Sequence, residues 1–152
     1  MVCTGNICRS PMAAALLHHA LPDELKQRIE VTSAGTQALH GHRAQREAFT
    51  AMAELGIDIG DHRARQITKD IARGSDLILV MEAAHCNIVK KLLGWNRSKP
   101  RRIGEFHPES PLEDIADPYG APLEAYRDCI RILRPCVEGV RLWLIHNLNG
   151  VD

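Results

Sequence analysis

Two residue types with a reason to work together stand near the start of this chain, a cysteine at position 3 and an arginine at position 9. They frame the string Cys3-Thr4-Gly5-Asn6-Ile7-Cys8-Arg9-Ser10-Pro11. A cysteine separated by five residues from an arginine decides little by spacing alone; the residues between and after them carry the argument. Gly5 lets backbone approach a ligand closely. Asn6 is among the few residues other than glycine that tolerate a left-handed conformation. Pro11 belongs in the first turn of a helix, where its missing N–H would have had no partner anyway. A loop running into a helix N-terminus converges N–H groups and the positive helix end on one point, which suits an anion. Arg9 adds a planar fork able to grip two oxygens of a phosphate. Cys3 at the mouth of such a nest is favoured as the thiolate, the nucleophilic form of the side chain. The alternative, that Cys3 and Cys8 are small buried residues at a strand end, suits Cys8 by itself better than it suits the whole string.

These chemical residues need a scaffold. The segment Ile29 to Ser33 reads as a short strand ending at Gly35, and Leu77 to Met81 as a strand covered on both faces, as in a parallel sheet. Arg101 to Phe106 reads as a weaker strand. Helices are expected from Pro11, over Ala44 to Leu55, and from about Glu82 to Leu93. Leu123, Tyr126, Ile130, Leu133, Val137, Val140 and Leu144 recur at spacings of three and four and make the apolar stripe of a last helix. The alternation points to an α/β fold, an open parallel sheet with helices on both faces. The chain of 152 residues is expected to form one domain, 1–152.

Nineteen basic and nineteen acidic residues give no surplus for nucleic acid. No apolar run is long enough to span a membrane. The five cysteines, an odd number without a leader-like N-terminus, fit a reducing cytoplasm better than a disulfide framework. Eight histidines include His18-His19, His40 and His42, which lack companion ligands at a metal-binding spacing.

The string Cys3 to Pro11 resembles the signature loop of the low-molecular-weight protein tyrosine phosphatases. The resemblance recurs at Ser33-Ala34-Gly35, His62 to Thr68, Asp76 to Met81 and Asp117-Pro118-Tyr119, and covers nearly the whole chain. It implies an open parallel sheet of four strands, a phosphocysteine intermediate on Cys3, phosphate binding by Arg9, and Asp117 as general acid and then base. A phenolate leaving group, whose conjugate acid has a pKa near 10, profits from such an acid; local chemistry does not separate Asp117 from Asp114. Thr4, Gly5, Asn6, Ile7, Cys8 and Ser10 would line the phosphate site, with Leu39 and Tyr119 at the substrate ring. Asn6, Ser10, Ser33 and His62 match positions that brace the loop. Cys8 matches a cysteine that pairs reversibly with the nucleophile under oxidation. Gly120 stands where many members carry a second tyrosine. Leu39 is similar to the bacterial branch associated with exopolysaccharide export and its tyrosine kinases. The implied partner is a phosphotyrosine protein, such as a bacterial tyrosine kinase, with no metal or organic cofactor.

Two rivals remain at this point, an arsenate reductase of the same fold and a non-catalytic phosphate-binding module. The first would need relay cysteines. Cys129 and Cys136 lie about two turns apart on the last helix, roughly 10 Å between Cα atoms, and cannot bond without unwinding. The family also has about eight residues before the nucleophile, forming the central strand, whereas only Met1 and Val2 precede Cys3 here. Two residues are not expected to bridge the neighbouring strands. An upstream start, a rearranged sheet, or a second copy covering the open edges as a homodimer would each answer the gap.

Overall fold

Leu79 and Val80 form a strand because both of their faces are covered. Val80 points with Val2 and Ile78 into a cluster with Ile67, Ala72, Val89 and Leu93. Leu79, Met81 and Cys3 point the other way, among Leu16, Met52, Leu133 and Val140. Successive strand residues alternate faces, so one apolar run feeds two cores.

The computed structural model describes residues 1–94, 100–111 and 114–149. Its elements are β1 (Val2–Cys3), α1 (Arg9–Ala20), α2 (Asp23–Lys26), β2 (Ala34–Gly35), α3 (Arg46–Ala53), α4 (Lys69–Gly74), β3 (Leu79–Val80), α5 (Ala83–Leu93), β4 (Arg101–Arg102), a 3-10 turn (Ile103–Phe106) and α6 (Leu123–Asn149). The four strands are parallel in the order β2-β1-β3-β4. Helices α1, α3 and α6 pack together on one face, and α4 and α5 on the other. The expected stripe of α6 is buried from Tyr126 through Leu144.

The expectation that two residues cannot bridge the sheet is corrected. Val2 pairs with both Ala34 and Val80, and Cys3 with Gly35. Peptide groups on a strand face alternate neighbours, so even a short strand serves both sides. The Met1 and Cys3 carbonyls accept from Ala34 and Thr36 at 3.0 and 2.9 Å, while the Val2 carbonyl accepts from Met81 at 3.1 Å. Strand β2 lies at Ala34–Gly35 rather than 29–33, because pairing starts only where β1 starts. Beyond Met1, whose amino group donates to the Thr32 carbonyl, a groove of about 440 Å³ runs between Ile29–Ala34 and Gly74–Leu79 over Leu17 and Leu144.

Other boundaries also move. Helix α1 begins at Arg9, two residues before Pro11, which keeps proline in the first turn. Helix α3 is shorter than 44–55. After Arg102 the chain leaves the sheet, because Glu105 folds back to accept the Arg102 N–H at 3.3 Å and the segment becomes a 3-10 turn. Helix α4, not anticipated, is capped by Thr68, whose hydroxyl accepts from the Ile71 N–H at 3.2 Å.

The 3-10 turn docks on α6 at Gly139, where a Cβ would overlap the carbonyl oxygen of Phe106. Alanine there gains helix propensity but forces the two elements apart. Gly139→Ala is expected to cost about 2 kcal/mol and to lower the melting temperature by roughly 4–8 °C, read by calorimetry; an unchanged midpoint would mean the turn is free to shift.

Candidate active site

In an open sheet that winds both ways from its centre, ligands collect outside the carboxyl ends of the strands where the direction of winding changes. Here that point lies between β1 and β3. Cys3 ends β1, and Glu82 follows β3 after one residue. The chain from Cys3 to the start of α1 therefore wraps this crevice.

The loop is held from outside by its carbonyls. Those of Cys3, Thr4, Gly5 and Ile7 accept backbone N–H groups from Thr36, Gln37, Leu39 and Gln45 at 2.8–3.1 Å. The Asn6 carbonyl lies 2.6 Å from His62 Nε2. A carbonyl only accepts, so His62 carries its hydrogen on Nε2. Among the described residues, nothing accepts from the backbone N–H groups of Thr4, Gly5, Asn6, Ile7 or Cys8. With every carbonyl engaged outside, the loop keeps a set of free donors for an anion.

Asn6 makes this possible. Its φ is +56°, the left-handed region, and it is the one residue other than glycine there among the described residues. Its side chain is fully used. The amide nitrogen donates to Ser10 Oγ at 2.8 Å and Ser33 Oγ at 2.9 Å, and Oδ1 accepts the Arg65 N–H at 2.9 Å. Ser10 Oγ stands 3.0 Å from Cys3 Sγ. The Ser10 hydroxyl hydrogen has two acceptors in reach, the Cys3 sulfur and the Ala34 carbonyl at 3.5 Å. Gly35 backs the loop so closely that a Cβ would overlap the Thr4 carbonyl oxygen and press on Asn6.

Arg9 is buried at 1% exposure and anchored from two sides. Nη1 donates to Glu82 and to the Ile115 carbonyl, and Nη2 to Asp117 Oδ2 at 2.8 Å. Its Nε–H is buried without a partner among the described residues. A planar donor with one buried hydrogen uncommitted suits an oxygen-rich anion arriving from the loop side.

The structure separates two aspartates that the sequence left equivalent. Asp117 faces Arg9, and its Oδ1 accepts the Tyr119 N–H at 3.1 Å in an Asx turn. Asp114 instead accepts the Ala83 N–H at 2.8 Å, at the N-terminus of α5. Tyr119 is 59% and Leu39 42% exposed; they are tied to Asp117 and Gly5 through their backbones, so both are rim residues. Cys8 is buried, with Sγ 3.5 Å from the Tyr126 hydroxyl, and burial pushes its thiol up to about 12.

Cys3, Thr4 to Cys8, Arg9, Ser10, Ser33, His62 and Asp117 thus meet in one place. Sequence reasoning missed Glu82 and His85. Position was the available signal for Glu82, since it directly follows a buried parallel strand. His85, 3% exposed, contacts Thr4 Oγ1 through Nε2 at 2.9 Å; it lies three positions after Glu82, on the first turn of α5.

A thiol in a loop of free N–H groups, with a doubly anchored arginine beside it on a doubly wound sheet, makes a cysteine-lined site suited to an oxygen-rich anion. The low molecular weight phosphotyrosine protein phosphatase family matches residues 1–144. A probable low molecular weight protein-tyrosine-phosphatase, EpsP of Ralstonia nicotianae, is 40% identical over 144 residues, covering 95% of this chain and 91% of that one. The crystal structure of the Erwinia amylovora tyrosine phosphatase AmsI superposes with a TM-score of 0.80 at 35% identity, over 91% of this chain and 86% of that one. The YwlE arginine phosphatase of Geobacillus stearothermophilus gives 0.85 at 33% identity, over 99% and 94%. The chain belongs to the low molecular weight phosphotyrosine protein phosphatase family, and as an enzyme it is a protein-tyrosine-phosphatase of that family.

Burial lowers the pKa of His62 below the 6.5 of a free imidazole, with the Asn6 carbonyl opposing and Arg63 and Arg65 reinforcing the shift. Below pH 6.5 the unfolded chain therefore takes up its proton first, so stability present at neutral pH is lost on acidification. Denaturant unfolding at pH 7 and pH 5 is expected to show this loss, and His62→Gln, which keeps an N–H for Asn6, should lose less. Equal losses in the two proteins would remove His62 as the source.

Proposed function

We propose that this chain hydrolyses phosphotyrosine in proteins through a phosphocysteine on Cys3. The observation that carries the reading is the loop itself, with all its carbonyls bonded outward and its N–H groups free beside the Cys3 sulfur. In this mechanism the free donors and Arg9 bind the three terminal oxygens of the phosphate. The Cys3 thiolate attacks phosphorus, forming the S–P bond as the P–O bond to the ring breaks. Asp117 delivers its proton to the leaving phenolate oxygen. A water then attacks phosphorus, Asp117 takes its proton, and the S–P bond breaks to return thiolate and inorganic phosphate. Leu39 and Tyr119 give the rim an apolar character suited to an aryl ring.

The rival relay chemistry finds little support. Cys129 and Cys136 are buried in α6, and burial pushes their thiols up to about 12 and about 11. Oxidative pairing of Cys8 with Cys3 would first have to release Cys8 from Tyr126. The same reading places the enzyme in the cytoplasm, in exopolysaccharide export, acting on a bacterial tyrosine kinase. No helix among the described residues is long and apolar enough to cross a membrane. One domain, residues 1–152, carries the activity, and neither metal nor organic cofactor takes part.

Hydrolysis of an aryl phosphate in chelator tests the route. The wild type is expected to show a pre-steady-state burst that Cys3→Ser loses, and Asp117→Asn is expected to lower turnover by about 100- to 10,000-fold. Because one close structural relative is an arginine phosphatase, phosphotyrosine and phosphoarginine peptides are assayed side by side. Preference for phosphoarginine would replace the tyrosine reading and keep the phosphocysteine. The groove beside Met1 supports one further part of the reading, that two copies associate through it; light scattering is expected to give the mass of a dimer, and a monomer at all concentrations would remove that part.

A further inference from the structure

The first turn of α5 touches both arms of the phosphate loop. Glu82, just before the helix, holds Arg9 at the far end of the loop. His85, three residues on and therefore on the same side of that turn, meets Thr4, the residue after Cys3. A histidine buried to 3% exposure needs a reason. Its Nε2 lies 2.9 Å from Thr4 Oγ1, and its Nδ1 is buried with no partner among the described residues. An unpaired buried N–H is costlier than an unpaired lone pair, so Nε2 carries the hydrogen and donates it to Thr4. An imidazolium would bury a second N–H with no acceptor, so the ring stays neutral. Burial lowers its pKa; the charged groups around it are Glu82, Arg9, Asp117 and Asp114.

We propose that His85 is a positioning residue of the phosphate loop, acting through the Thr4 hydroxyl to fix the Cys3–Gly5 arm in its anion-accepting form. Thr4 needs such a tie. Its carbonyl is bonded outward to Gln37 and its N–H is kept free for the ligand, so the side chain is the remaining handle on this part of the loop. Glu82 and His85 thereby set the distance between the two ends of the anion site from a single rigid helical turn. From the start of α5 the arginine side receives an ion pair and the cysteine side one neutral hydrogen bond.

This inference rests on the phosphatase reading for its purpose but not for its test, which is the affinity for inorganic phosphate measured by calorimetry. His85→Leu and Thr4→Val are each expected to weaken phosphate binding about tenfold, the worth of one buried hydrogen bond. The double variant should be no weaker than either single one, since both remove the same link. His85→Gln, which places an N–H near the position of Nε2, and Thr4→Ser, which keeps the hydroxyl, should return to within about threefold of wild type. Additive losses in the double variant, or unchanged affinity in His85→Leu, overturn the proposal. Should His85→Leu fail to fold, the comparison of Thr4→Val with Thr4→Ser decides: equal affinities overturn it. If the wild type binds phosphate but turns over no aryl phosphate, the phosphatase reading fails while the coupling between His85 and Thr4 is still measured.

Discussion

Everything at this site depends on where the carbonyl oxygens of five consecutive loop residues go. A peptide that points its C=O away from a centre points its N–H toward it. The loop can present donors to an anion only because each oxygen finds a partner outside. Those partners come from the segment after β2 and from His62. Segments remote in sequence therefore exist, in functional terms, to absorb the loop's acceptors. The left-handed turn at Asn6 is the geometric condition for this, and its saturated side chain is what holds the turn.

The scaffold serves the same end with little material. Each strand is two residues long, and β1 nevertheless contacts both neighbours. Its two side chains divide between the cores, Val2 toward α4 and α5 and Cys3 toward α1 and α6. The proposed nucleophile is thus also a core residue. Its position is set by packing as well as by the loop, which limits how far the sulfur can wander.

Much of this was legible in the sequence. The string from Cys3 to Pro11 named the loop, and the apolar run at 77–81 and the stripe of the last helix named the sheet and its cover. Asn6 was readable because few residues take its conformation. Bracing by Ser33 and His62 was readable only by resemblance, since a lone serine or histidine has no local signature. Glu82 and His85 were missed because their meaning lies in which loop the turn of α5 faces, a matter of tertiary placement. The choice between Asp114 and Asp117 was closed to local chemistry for the same reason: both are acids in one loop, and only the fold sends one to a helix end and the other to Arg9. Strand bounds shifted because register belongs to the partner strand, as β2 shows by starting where β1 does.

The two carboxylates on Arg9 differ in where they stand. Glu82, 32% exposed in its side chain, precedes a helix, whereas Asp117, 41% exposed, lies in the loop beside Tyr119. The pocket therefore carries its own counter-ions at Arg9. In the proposed reaction an incoming dianion takes the uncommitted Nε–H and competes with Asp117 for the Nη2 edge of the guanidinium. The carboxylate released by that competition is the one required to carry a proton. A neutral aromatic compound cannot compete in this way, so it leaves the acid tethered. In that reaction the arginine holds its proposed acid in place until an anion draws the charge away.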